Sequence, residues 1–184
     1  FEGYGTTTLI QFAADTPWIP KDTKEAVNTW TVSGVYLGRT EIAKQFPDGV
    51  PYDKEYFAYA EDNYVCWMFR LKGYELYTIP TSILYHEGEF TVKKFKGMST
   101  FFTYLAERNR LLNMLTFYSA VNLIRLIPYF LILLLFINIY DFKKIPIRLK
   151  VYWYLTTNIG KIIRKRKAIQ RQRKKADKEL LKHM

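Results

Sequence analysis

Residues 57–86, FAYAEDNYVCWMFRLKGYELYTIPTSILYH, form the most informative stretch of this chain. An adjacent acidic pair, Glu61 and Asp62, precedes apolar residues at helical spacing, and Gly73 marks where that helix ends. Two short strands follow, and the second of them ends next to His86. Carboxylates at a helix start and a histidine at a strand end can face one cleft. The stretch therefore predicts a general base and a metal or phosphate contact, although an acidic pair can also simply cap a helix.

The flanking segments extend this pattern into an alternation of strands and helices. Residues 29–37 are β-branched and aromatic, with Ser33 and Gly34 in the middle, and residues 39–46 suit a short helix capped by Thr40. A helix is also expected over residues 101–114. The predicted strands lie at 7–12, 29–37, 75–79 and 82–85. The fold class expected from this order is α/β, with helices layered on a sheet.

Charge is distributed unevenly along the 184 residues, whose formal net charge is +11. Residues 1–140 hold 13 Lys and Arg against 14 Asp and Glu, whereas residues 141–184 hold 15 against 3. The basic character thus belongs to the C-terminal segment, which predicts a body with its own task and a tail that meets a polyanionic surface. The single cysteine, Cys66, excludes an internal disulfide and is expected to be buried.

An apolar segment separates the body from this tail. Residues 111–140 contain one charged side chain, Arg125, and the uninterrupted apolar core at 126–137 is shorter than the roughly 20 residues that a spanning helix needs. Extending the segment back to position 120 reaches that length, but includes Arg125 and Pro128. Three interpretations stay open: a membrane span or hairpin, a helix lying in the membrane interface, and a buried helix of a soluble protein.

The tail itself is basic and weakly amphipathic. Residues 161–184 carry 11 Lys and Arg against Asp177 and Glu179, with a sparse apolar stripe at Ile159, Ile162, Ile163 and Ile169. This pattern favours a helix on anionic lipid at the cytoplasmic face, with a solvated helix as the alternative. A nucleic-acid partner is not expected, because stacking aromatic residues are not interleaved with the charges. The aromatic strip at 151–155 suits a headgroup belt.

The order of these motifs resembles the C-terminal half of the catalytic domain of family-2 glycosyltransferases, especially the rhamnosyltransferase-like members. The resemblance covers roughly residues 7–135. The matching pieces are VSGVYL at 32–37 with Arg39, YFAYAED at 56–62, Trp67, Arg70 and Leu71, Gly73-Tyr74, Ile79-Pro80, Tyr85-His86 and Arg108-Asn109-Arg110. The expected domains are a catalytic half over 1–110, a membrane-associated segment over 111–157 and the basic tail over 158–184.

The resemblance implies a partial GT-A fold and transfer of a sugar, with inversion, from a nucleotide-sugar donor to a saccharide or lipid-linked acceptor. It makes Asp62 the expected general base, with Glu61 as its neighbour or substitute. It places His86 at the donor diphosphate or at a divalent metal, Mg²⁺ or Mn²⁺. Ser33 and Gly34 are expected to line the donor or acceptor cleft, and the arginine pair Arg108 and Arg110 to hold a diphosphate or a lipid-linked phosphate.

The chain departs from the family pattern at three points. Tyr64 stands where a second aspartate is common, and Met68 stands where an arginine is common. An Asp-x-Asp motif is absent from the sequence, so the main metal ligands and the nucleotide-binding half are expected outside these residues, and the segment alone is expected to be inactive. These changes keep an alternative open, namely a non-catalytic, membrane-anchored binding or scaffold protein that retains the fold.

Overall fold

Helices dominate the part of the chain that the computed structural model describes, residues 23–29, 37–46, 49–82 and 99–180. Two short strands, antiparallel to each other, form a small sheet in which Val27 pairs with Thr78. In chain order the elements are β1 (Val27–Asn28), α1 (Thr40–Ala43), α2 (Glu61–Leu71), β2 (Tyr77–Thr78), α3 (Ser99–Phe117), α4 (Ala120–Tyr140), a 3-10 turn (Phe142–Lys144), α5 (Ile145–Thr157), α6 (Ile159–Gln170) and α7 (Asp177–Leu180).

Helix α2 confirms the prediction made from the acidic pair and Gly73. It begins with the two carboxylates in its first turn, where the positive end of the helix dipole favours negative charge. Every residue from Tyr64 to Leu71 is buried. The chain leaves the helix at Gly73, whose φ of 90° is a left-handed conformation that glycine adopts without a steric penalty.

The core lies where α2, α3 and α6 meet. Trp67 stacks on Phe117 with ring centroids 5.5 Å apart, and its other neighbour Tyr118 lies at 5.1 Å. Ile162 and Ile169 of α6 belong to the same buried cluster. Half of the apolar stripe predicted for the tail therefore packs against the body, whereas Ile159 and Ile163 are exposed. The buried position expected for Cys66 is confirmed.

Within the described residues the sheet has two strands of two residues each. Of the strand expected over residues 75–79, Tyr77–Thr78 forms β2, and the Leu76 carbonyl before it accepts a hydrogen bond from the Thr29 backbone N–H at 2.9 Å. Arg70 secures the sheet to α2 by donating hydrogen bonds to the Asn28 side chain, at 2.9 Å, and to the Thr29 carbonyl. The expected strands at 7–12 and 82–85, and most of the one at 29–37, lie outside the described residues. The chain therefore contains both helices and a sheet, and is mostly helical.

Two helix boundaries differ from the predictions. Thr40 is the first residue of α1 rather than its cap, because Arg39 occupies the cap position and no side chain there accepts a backbone N–H. The tail forms a helix only as far as Gln170, after which a turn leads to the short helix α7. The helix expected over residues 101–114 is confirmed and runs three residues further, to Phe117.

Helix α4 contains the apolar core at 126–137 and has no buried residue, whereas residues 111–117 of the predicted apolar segment complete α3, where Leu111, Leu112 and Phe117 are buried. The Ser119 side chain caps the start of α4 by accepting a hydrogen bond from the Asn122 backbone N–H at 3.2 Å. Among the described residues α4 is the one helix long and apolar enough to cross a membrane. None of its apolar window is buried among the described residues, which does not match the interpretation of this segment as a helix buried in a soluble core.

Candidate catalytic site

The acidic pair lies at the start of α2 in a partly enclosed position. Burial raises the pKa of the Glu61 carboxyl, and the neighbouring charge of Asp62 raises it further. Burial also raises the pKa of Asp62, although its side chain accepts a hydrogen bond from the Asn63 backbone N–H at 2.7 Å. The Glu61 Oε2 atom is buried and has no hydrogen-bond partner among the described residues. Both groups are thus better proton acceptors than ordinary surface carboxylates.

The loop before this pair has an unusual backbone. Phe57, Tyr59 and Ala60 have φ values of 58°, 65° and 60°, so three non-glycine residues adopt the left-handed conformation within four positions. Each such residue costs on the order of 1 kcal/mol or more relative to a right-handed one. Ala60 is also the N-cap of α2 and contributes no side-chain cap. Contacts from elsewhere must therefore maintain this loop.

Two buried asparagines of α3 provide those contacts. The Asn109 amide nitrogen donates to the carbonyls of Tyr56 at 2.9 Å, Ala58 at 2.9 Å and Tyr59 at 2.7 Å. The Asn113 amide nitrogen donates to the Ala60 carbonyl at 3.1 Å, and its oxygen accepts from the Tyr56 hydroxyl at 2.6 Å. Helix α3 thereby fixes the backbone that presents Glu61 and Asp62.

Arg108 supports the same loop. Its guanidinium donates to the Glu55 carbonyl at 2.6 Å and to the Asn109 side-chain oxygen at 2.8 Å. It also lies over the rings of Tyr104 and Tyr154, with centroids at 5.6 and 5.1 Å. The side chain is buried, with 8% exposed. The described contacts of Arg108 are thus structural, and its expected contact with a diphosphate or lipid phosphate stays a prediction.

The remaining predicted residues are only partly placed by the structure. Arg110 is half-buried on α3, where burial lowers the pKa of its guanidinium and the charge of Glu107 opposes that effect. Ser33, Gly34 and His86 lie outside the described residues. Within the described ranges, no three His, Cys, Asp or Glu side chains converge to form a metal site. The prediction of a divalent metal therefore rests on residues elsewhere.

A groove with a volume of about 650 Å³ lies beside the loop. Aromatic rings from α3 and α5 line much of it, and Lys150 is the charged residue in its wall. Its lining residues are Thr100, Phe101, Tyr104, Ile147, Lys150, Trp153, Tyr154 and Thr157. Phe101 also contacts Phe57 of the left-handed loop, with centroids 6.2 Å apart. The groove and the acidic pair therefore adjoin the two ends of one short loop.

A cluster of charged groups joins α6 to the chain just before the loop. Lys165 forms ion pairs with Asp53 and with Glu55, the latter at 2.9 Å, and Lys161 lies 3.1 Å from Glu55. Burial opposes ionisation of Glu55, but the hydrogen bonds from Tyr154 and the two lysines outweigh it and lower its pKa to about 2. Part of the positive charge that was predicted to contact a lipid surface is thus neutralised by carboxylates of the same protein.

The sequence analysis missed the two asparagines that hold the loop. A usable signal was present, because Asn109 and Asn113 are four residues apart beside Leu111 and Leu112 and so fall on one face of a helix. Buried amides need hydrogen-bond partners, and such a pair predicts irregular backbone packed against the helix.

Chemically, the arrangement offers two carboxylates of raised pKa on a rigidly supported helix start, and the loop before them contacts, through Phe57, a residue that lines the aromatic groove. Such a site can accept a proton from a hydroxyl bound nearby. Comparison of this chain with protein-family models, with curated proteins and with solved structures finds no match.

Proposed function

We propose that this chain forms the acceptor side of an inverting, family-2-like glycosyltransferase of GT-A fold. The observation that carries the proposal is the partly buried acidic pair, which α3 supports through Arg108 and Asn109. The hydrogen bond from Asn109 to the Tyr56 carbonyl joins two of the motifs on which the family resemblance rests, Arg108-Asn109-Arg110 and the stretch at 56–62. The transferred group is a sugar, the donor is a nucleotide sugar, and the acceptor is a saccharide or a lipid-linked hydroxyl.

In the proposed reaction Asp62 accepts the proton of the acceptor hydroxyl as its oxygen attacks the anomeric carbon of the donor. The new carbon–oxygen bond forms on the face opposite the nucleoside diphosphate. The bond between the anomeric carbon and the diphosphate oxygen breaks with its electron pair on that oxygen, so the configuration inverts. A carboxylate with a raised pKa suits this task, because its driving force for accepting the proton is larger than that of an ordinary aspartate.

Glu61 is the proposed neighbour or substitute of this base, and the aromatic groove is the proposed place for the acceptor. Rings such as Phe101 and Trp153 offer flat apolar faces, and the hydroxyls of Thr100 and Thr157 offer hydrogen bonds to a saccharide. Ser33, Gly34 and His86 remain the proposed donor-side residues, and Mg²⁺ or Mn²⁺ the proposed metal. The described residues do not form a ligand set for that ion.

The proposed location is the cytoplasmic face of a membrane; the exposed apolar helix α4 supports the association with a membrane, and the side is part of the proposal. The partners proposed there are the donor, the acceptor and an anionic lipid surface, with no nucleic acid. Several basic residues of α6 and of the turn after it are exposed and available to such a surface, namely Arg164, Lys167, Arg171 and Lys174.

The test is sugar transfer by the intact polypeptide carrying Asp62→Asn, assayed against a panel of nucleotide sugars. We expect kcat to fall by roughly 10²- to 10⁴-fold while donor binding is unchanged, since general-base catalysis contributes about that much. The control is Glu41→Gln on α1, an exposed carboxylate at a comparable helix start, which should retain parental activity. Unchanged transfer by Asp62→Asn contradicts the proposal, and a parent that binds but never transfers supports a scaffold instead.

A further inference from the structure

Helix α4 has two different long faces. On one face, side chains are only partly buried, and Leu123 and Leu126 pack against the core. The other face presents the exposed Arg125 near its start and, along its length, large apolar side chains that are between 52 and 69% exposed, namely Val121, Ile124, Ile127, Leu131, Ile132, Leu135, Phe136 and Ile139. A soluble monomer rarely exposes an apolar surface of this length, so this face has a partner.

The start of α4 is bound to the protein body. The Asp177 carboxylate accepts hydrogen bonds from the Ser119 backbone N–H at 2.8 Å and from the Asn122 side chain at 2.6 Å. Asp177 itself pairs with Arg173 at 2.6 Å, and Arg173 also donates to the Phe117 carbonyl at the end of α3. The first turn of α4 is therefore joined to the end of α3.

The end of α4 is bound to the same body. The buried Arg148 of α5 donates to the carbonyls of Ile137 at 3.1 Å and Asp141 at 3.0 Å, and to the Asn138 side-chain oxygen at 3.1 Å. Its Nε atom lies 3.8 Å from a carboxylate oxygen of Glu107, which is on α3. Both ends of α4 are thus connected to a single helix of the body.

A perpendicular span would carry the body into the bilayer, because both ends of α4 are joined to α3. The 21 residues of α4 measure roughly 31 Å along the helix axis. The hydrocarbon layer of a bilayer is about 30 Å thick. A span would place α3, α5 and the charged cluster around Glu55 at the depth of the lipid tails, where charged groups are strongly disfavoured.

We propose that α4 lies in the plane of the membrane and inserts its apolar face into one leaflet, with both ends on the same side. The occupant of this face is the acyl region of an anionic phospholipid leaflet. Exposed Phe142, Leu149 and Trp153 follow α4 in the chain, and Lys143 and Lys150 lie between them. Aromatic rings and lysines at the border of an apolar surface suit the headgroup layer better than a protein partner.

The first test locates the two ends of α4 with cysteine variants of the full chain. Ala120→Cys and Tyr140→Cys place thiols at exposed ends, Ile132→Cys places one on the apolar face, and the parent with its buried Cys66 is the control. Each variant is labelled with a membrane-impermeant maleimide in sealed, uniformly oriented vesicles of the expressing cell. We expect the cysteines at positions 120 and 140 to be labelled to the same extent. The cysteine at position 132 should react at least tenfold more slowly in the vesicles than in the purified protein without lipid. Protection of one end alone overturns the proposal.

The second test identifies lipid as the occupant. The purified chain is floated with phosphatidylcholine vesicles that contain or lack phosphatidylglycerol, alongside the variant Ile132→Glu/Leu135→Glu. Because both side chains are exposed, the variant is expected to keep its helix content, which circular dichroism checks. We expect the parent to float with the vesicles, and a larger fraction of it to float when they contain phosphatidylglycerol. The variant should bind the vesicles at least tenfold more weakly than the parent. A parent that forms a dimer through this face and does not float overturns the proposal, as does a variant that floats like the parent.

Discussion

Replacing Asn109 by alanine should release the loop that presents the acidic pair. The two N–H groups of the Asn109 amide contact three loop carbonyls, so one of them is shared; at roughly 1 kcal/mol for each buried hydrogen bond, two to three such bonds contribute about 2–3 kcal/mol. The three left-handed residues of the loop cost about 3 kcal/mol together. Because the two quantities are similar, loss of Asn109 should remove most of the preference for the native loop conformation.

Native-state proteolysis measures this release directly. Chymotrypsin cleaves after aromatic residues, and Phe57 within the loop is 73% exposed. If cleavage follows the population of the open loop, a change of 2–3 kcal/mol increases the cleavage rate at Phe57 by roughly 30-fold or more. Thr103→Ala, on the same helix, removes a hydrogen bond that stays within α3 and should change the rate by less than about twofold. A rate at Phe57 that equals the parental rate in Asn109→Ala refutes the reasoning.

Two further substitutions test the loop and the charged cluster. Ala60→Gly should raise the free energy of unfolding by about 1 kcal/mol, because glycine adopts a φ of 60° without strain, whereas Ala106→Gly inside α3 should lower it by about 1 kcal/mol. Urea denaturation compares the two. Lys165→Met should lower the free energy of unfolding by about 2 kcal/mol at neutral pH, with the exposed Lys167→Met as control. The Glu55 pKa of about 2 lies below its ordinary 4.5, so the stabilisation from the ion pair is present above pH 4.5 and is lost as the pH falls toward 2. If the loss of stability caused by Lys165→Met becomes larger on acidification, the ion pair is contradicted.

Local sequence patterns predicted the helices well. The acidic first turn and Gly73 defined α2, because capping and chain reversal depend on residues close together in sequence. The apolar run at 126–137 likewise indicated the exposed helix that α4 forms. The buried position of Cys66 followed from its apolar neighbours in the same way.

Long-range contacts were not predictable from these patterns. The basic residues of α6 suggested a helix devoted to a lipid surface, but Lys165 pairs with Asp53 and Glu55, which lie more than 100 positions earlier. The left-handed conformation of Phe57 and Tyr59 was equally hidden, because neither residue type prefers it and α3 imposes it from outside the loop. Asn109 was part of a matching motif without an expected role, and its carbonyl partners lie about 50 positions earlier in the chain.

The origin of the loop restraints also constrains the order of folding. The hydrogen bonds from Asn109 join positions that are 50 to 53 residues apart, and they hold a loop in which three of four successive residues are left-handed. During synthesis, the loop must therefore remain in other conformations until α3 has been made and has docked, since closing such a long loop precedes any gain from the contact. Glu61 and Asp62 consequently acquire their geometry late, after α3 has left the ribosome.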